Sequence, residues 1–200
     1  MSDGFMIWFL RGEPTERVVD HLAATGATLA YPIGEGQVSV IDLEGTREII
    51  SSECFVPLLE DNDSPSLTFQ MWYSKSEDMV VTVRRNLTET SSGTAFYSVT
   101  CYLDGLEFHQ VESAISGADQ LASASSDEVI GIVIDKRGST EDFDWDAFIA
   151  DPSTTPPAPE RLVVRRDAIE HHAADHAAWS LGNPTAELAT HIDVQTGLGR

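Results

Sequence analysis

The sequence predicts an α+β protein: a mixed, mainly antiparallel sheet with a three-strand meander, helices packed on it, and a C-terminal helical segment. Three observations carry this expectation. Residues 5–10 (FMIWFL) and 129–134 are apolar at consecutive positions, as in strands covered on both faces. Three successive segments between residues 67 and 103 alternate with period two. Segments with helical spacing separate these strands.

Residues 5–10 therefore make a central strand. Glu13-Pro14-Thr15-Glu16 opens a helix, since Pro is tolerated in the first turn and acids favour the positive end of the helix dipole. Val18, Val19, Leu22 and Ala23 supply its apolar stripe, and Gly26 stands where a C-cap belongs. Residues 28–31 and 38–42 flank a Gly-rich turn and are expected to pair as a hairpin. The turn lacks both phosphate-binding glycine spacings, and Glu35 puts a negative charge where a phosphate would sit. Residues 44–59 fit helix and strand equally, and the polar run 60–65 is a solvated loop.

The meander follows. Leu67, Phe69, Met71 and Tyr73 form one phase of the first strand; Met79, Val81 and Val83 of the second; Ala95, Tyr97, Val99, Cys101 and Leu103 of the third. The opposite phase holds Trp72, Phe96 and Tyr102 among Thr, Ser and Arg84, so a second layer, expected from the chain's own helices, covers it. Residues 107–125 read as a helix with Phe108, Val111, Ile115 and Leu121 on its stripe, weakened by Gly117. The strand at 129–134, interrupted by Gly131, follows a helix and so enters the sheet parallel to a neighbour. The Pro-rich stretch 152–159 reads as an extended linker, dividing an α+β domain (1–151) from a helical segment (160–200) whose helix spans 167–181.

The formal charge is −21 over 200 residues, from 33 acids against 12 bases, and between Asn86 and Asp135 there is no Lys or Arg. Such a surface repels nucleic-acid phosphate and anionic lipid, which bind through Lys and Arg. It suits a basic protein partner, because complementary charge accelerates encounter. It equally serves dispersal of the protein in solution. Cys54 and Cys101 are too few for a disulfide scaffold and lack metal or redox spacing, which fits buried thiols in a reducing, cytoplasmic setting. The six-residue apolar run near the start, preceded by Asp3, is too short for a signal peptide, and no run is long enough for a membrane span.

Two clusters carry possible chemistry. In Glu170-His171-His172-Ala173-Ala174-Asp175-His176, His172 and His176 lie one helical turn apart with Asp175 on the flank, half of a transition-metal site that His191 or a carboxylate would complete. Ala173 occupies the place where the zincin helix carries its Glu base, and the acid is one residue early for the paired-histidine acyltransferase signature, so neither chemistry follows. The simpler account is a solvated polar face opposite the stripe Ile169, Ala173, Ala177 and Leu181.

The second cluster is Asp142-Phe143-Asp144-Trp145-Asp146. Its alternate carboxylates begin like a calcium loop, but Ala147 and Ser153 stand where that loop requires Gly and Glu. With Ser139 and Thr140, these acids instead load the start of a short helix whose Trp145, Phe148 and Ile149 pack inward. A Trp ringed by acids also suits contact with a basic patch, which makes Asp142, Asp144, Trp145 and Asp146 the candidate partner-binding residues. No nucleophile elbow or basic aromatic stripe is present.

The functional expectation is a non-catalytic acidic protein, without a cofactor, that binds a basic partner. Its general character is similar to that of small acidic proteins that neutralise bacterial toxins, a likeness of composition without a shared motif. The alternatives are a divalent-metal enzyme using His172, Asp175 and His176, and a subunit of a homo-oligomer that buries Trp72, Phe96 and Tyr102.

Overall fold

The computed structural model describes residues 4–32, 34–86, 90, 93, 95–124, 128–151 and 156–164. It is an α+β protein with one eight-stranded sheet. The elements are β1 (Phe5–Arg11), α1 (Arg17–Ala23), β2 (Gln37–Ile41), β3 (Arg47–Ser51), α2 (Ser52–Leu59), β4 (Ser66–Trp72), β5 (Asp78–Arg85), β6 (Phe96–Tyr102), α3 (Phe108–Ala124), β7 (Val129–Asp135), α4 (Trp145–Ala150) and β8 (Arg161–Val164). The strand order is β3-β2-β4-β5-β6-β1-β7-β8.

Every strand pairing among the described residues is antiparallel, which corrects the expectation of a mixed sheet. β7, expected to enter parallel to a neighbour, pairs antiparallel with both β1 and β8, and it runs parallel to β6 only across the intervening β1. β6-α3-β7 is thus a split crossover around β1, and β3-α2-β4 repeats the arrangement around β2.

β1 is buried from Phe5 to Leu10 because opposite side chains enter different cores. Met6, Trp8 and Leu10 meet α1, α2 and α3 on one face, together with Phe69, Met71, Val81, Val99 and Cys101. Phe5, Ile7 and Phe9 meet Trp145, Phe148 and Ile149 on the other. The register to β7 shifts after Phe9, which pairs with Gly131, while Leu10 pairs with Val129 and leaves Ile130 as an extra residue. Gly131 is needed there: a Cβ would lie 3.1 Å from the Val163 carbonyl and 3.2 Å from Ile149.

The hairpin expected for residues 28–42 is corrected. β2 pairs instead with β3, in register Val38↔Ile50 and Val40↔Glu48, through a turn in which Gly45 has φ +81°. Thr28 forms a single bridge to Trp72. Residues 44–59, which fit both states, divide between strand β3 and helix α2. Trp72 is covered by a loop and an edge residue: Tyr31 packs edge-on at 5.4 Å and the Arg47 guanidinium lies 5.8 Å from the ring centroid. The expectation of two buried thiols holds for Cys101, whose thiol burial pushes well above its usual range, while Cys54 on α2 is exposed.

α3 buries Ala114, Ala118 and Leu121, whereas Phe108, expected on the stripe, is 80% exposed. The small residues permit close approach to the end of α1. The buried Thr25 is fixed there, its carbonyl accepting from Ser113 Oγ at 2.7 Å and from Tyr73 OH at 3.3 Å. A Cβ on Gly117 would come within 3.0 Å of both the Ala24 carbonyl oxygen and the Thr25 nitrogen. β8, which follows the Pro-rich stretch, pairs with β7 and so belongs to the sheet. The helix expected over 167–181 lies outside the described residues.

At an unconstrained helix position Gly→Ala gains about 1 kcal/mol. At Gly117 overpacking opposes that gain and costs roughly 1–3 kcal/mol. Gly117→Ala should therefore lower the urea midpoint, and a raised midpoint would show that the two helices are not held in contact there.

Candidate functional site

The second face of the sheet divides into a covered and a polar half. α4 covers the part made by β1, β7 and β8. Along β4 and β5 the residues opposite the main core are polar except for Trp72 and Val80, and hydrogen bonds join several of them to one another and to Ser39 of β2. Thr68 and Thr82 share a hydroxyl hydrogen bond at 3.0 Å, Ser39 donates to Gln70 Oε1 at 2.5 Å, and Gln70 donates in turn to Asp78.

The turn between β7 and α4 stands over the border of the two halves, and Asp135 organises it. This buried carboxylate accepts from Thr140 N at 2.7 Å, Thr140 Oγ1 at 2.8 Å, Ser139 Oγ at 3.1 Å and Arg137 N at 3.1 Å. Burial pushes its pKa up, but these hydrogen bonds to the charged form outweigh it and hold the carboxyl below its ordinary value. The chain then reaches α4, where Asp144 caps the helix by accepting from Ala147 N at 2.9 Å. Trp145 donates its indole N–H to the Thr140 carbonyl at 3.3 Å and packs edge-on against Phe143 and Phe148.

Between this turn and the sheet lies a cleft of about 260 Å³. Phe5, Ile7, Thr82, Arg84, Thr100 and Tyr102 line it from the sheet, and residues 141–146 from the turn. Four carboxylates face one guanidinium across it. Asp146 pairs with Arg84 at 3.2 Å, tying the turn to β5, and Asp144 is engaged as the cap. Glu141 and Asp142 remain exposed, with carboxylates unpaired among the described residues. The lining holds no His, Cys or Lys. Its carboxylates and hydroxyls are groups for holding a cation.

The structure brings all four candidate partner-binding residues to this cleft. Trp145 is only 3% exposed, so it supports the wall from within and the solvent-facing charge belongs to Glu141 and Asp142. Glu141 was not singled out from the sequence, although it adjoins the Asp motif. Arg84, Thr82, Thr100 and Tyr102 were visible as the polar phase of their strands, without a sign of what they face. His172, Asp175 and His176 lie outside the described residues. Among the described residues no group of three His, Cys, Asp or Glu side chains is placed to hold a metal ion, and no helix is long and apolar enough to cross a membrane.

Asp135→Ala strands the buried Thr140 donors and should cost on the order of 2–3 kcal/mol at neutral pH. Because the folded pKa is depressed, this stabilisation is complete above the ordinary carboxyl range, about pH 4, and is lost as pH falls through the folded value. The stability gap between wild type and Asp135→Ala in urea titrations should thus narrow on acidification; a gap that stays constant would exclude the ionised carboxylate as its source. No protein-family model, curated protein or solved structure matches this chain.

Proposed function

We propose that this is a non-catalytic acidic binding protein that engages a basic protein partner, in the manner of an immunity or inhibitor protein, with the rim of the cleft as its contact. The observation that carries this reading is the pair Glu141 and Asp142, exposed at the rim and unpaired among the described residues, while Arg84, the one guanidinium in the lining, is engaged by Asp146. Their position rests on internal contacts: Asp135 fixes the turn, Asp144 starts the helix, and the Asp146–Arg84 pair joins the turn to the sheet. Two carboxylates held in this way offer a Lys or Arg a ready position, so little ordering entropy opposes binding. The formal charge of −21 adds attraction at long range. The finer architecture belongs to the same reading: β4, β5 and β6 act as a meander, of which β5 and β6 floor the cleft together with β1.

The test is capture from native lysate with wild type and with Glu141→Lys/Asp142→Lys, at low and high ionic strength. Expected is a cationic protein retained at low salt, released at high salt, and associating at least about tenfold more slowly with the charge-reversed variant. Equal capture by both proteins, or no cationic partner at either ionic strength, would contradict the proposal.

A further inference from the structure

β3 forms one edge of the sheet, and among the described residues no strand pairs with its outer side. Its backbone phase follows from the hydrogen bonds at its two ends. The Ser52 amide donates to the Gly36 carbonyl at 2.8 Å, and the Asp42 amide donates to the Thr46 carbonyl at 3.0 Å. Backbone groups alternate along a strand, so Glu48 and Ile50 face β2, while the N–H and C=O of Arg47 and Ile49 and the N–H of Ser51 point outward. Apolar side chains flank this edge. Of the four large hydrophobic residues exposed among the described residues, Leu43, Ile49 and Leu58 lie on the β2–β3 turn, on β3 itself and on the following helix α2. They are 93%, 40% and 39% exposed, respectively.

Such an edge is a template for another strand. The surrounding charge selects which one. Asp42, Glu44, Glu48 and Glu53 accompany this stretch, and the guanidinium of its only base, Arg47, is drawn over the Trp72 ring. A second copy would set these acids against their own equivalents, and like charges on neighbouring strands destabilise pairing. An extended cationic segment meets no such penalty.

We propose that the outer edge of β3 is a strand-addition site for an extended segment of a partner protein that carries alternating basic and apolar residues. The backbone donors and acceptors fix the added strand, Ile49 meets its apolar side chains on one face, and Glu48 meets its cations on the other, with Glu44 and Glu53 adding to the negative field. This surface is separate from the cleft, and loss of either leaves the other intact.

The probe is a fluorescent peptide of about eight residues alternating Lys and Val, compared with one in which Glu replaces Lys, by anisotropy at low salt. Ile49→Pro removes an outward N–H without touching the ladder to β2, a position where an edge strand accepts Pro. The Lys peptide should bind wild type, the Glu peptide should not, and Ile49→Pro should weaken binding by about tenfold, as expected when backbone pairing is lost. Should Ile49→Pro fail to fold, Glu44→Lys/Glu48→Lys keeps the backbone and should also weaken the Lys peptide. The proposal is overturned if the Lys peptide does not bind wild type, if folded Ile49→Pro binds it equally, if both charge variants of the peptide bind alike, or if light scattering finds a wild-type dimer that Ile49→Pro dissociates.

Discussion

Strand β1 is buried on both faces, and the rest of the molecule is arranged around that requirement. Six consecutive apolar residues need two cores, so α1, α2 and α3 close one side of the sheet and α4 the other. The two coverings are unequal. Three crossover helices extend across the first face, whereas α4 is six residues long and packs beside β1, β7 and β8. Polar side chains along β4, β5 and β6 meet the edge of that small second layer, and the cleft forms at the junction.

The turn before α4 links packing to the proposed contact surface. A single buried carboxylate, Asp135, satisfies four donors and fixes residues 137–140, and the Thr140 carbonyl in turn receives the indole of Trp145. The aromatic residue that suggested a contact surface is thereby committed to the core, and the charge beside it is what faces solvent. Similar economy holds at β3, where Arg47 folds back on Trp72 and leaves the edge to acids and exposed apolar groups.

Elements with a strong periodic signal were legible in the sequence. β1, β4, β5, β6 and β7 are buried on at least one face, so their alternation or continuity had to be written into the chain. β3 stayed ambiguous between helix and strand because an exposed edge strand needs no such pattern: Arg47-Glu48-Ile49-Ile50 has neither clean alternation nor a long apolar run. On α3, Val111, Ile115 and Leu121 pack on the core as the spacing predicts, but Phe108 does not, and the close approach to α1 at Gly117 adds Ala114 and Ala118 to the buried side. At the cleft, the cap at Asp144 was visible because caps are local. The pairing of Arg84 with Asp146 joins residues far apart in sequence, and no local pattern encodes it.

The central claim is that a doubly covered half of the sheet supports a half whose β3 edge is unpaired among the described residues. Native-state hydrogen exchange resolved by residue tests it most directly. The amides of Ile7, Trp8 and Phe9 should exchange only through global unfolding, while those of Arg47, Ile49 and Ser51 exchange at rates near those of an unstructured chain. Equal, slow exchange of the β3 amides would contradict the account, because it would mean that the edge is already closed.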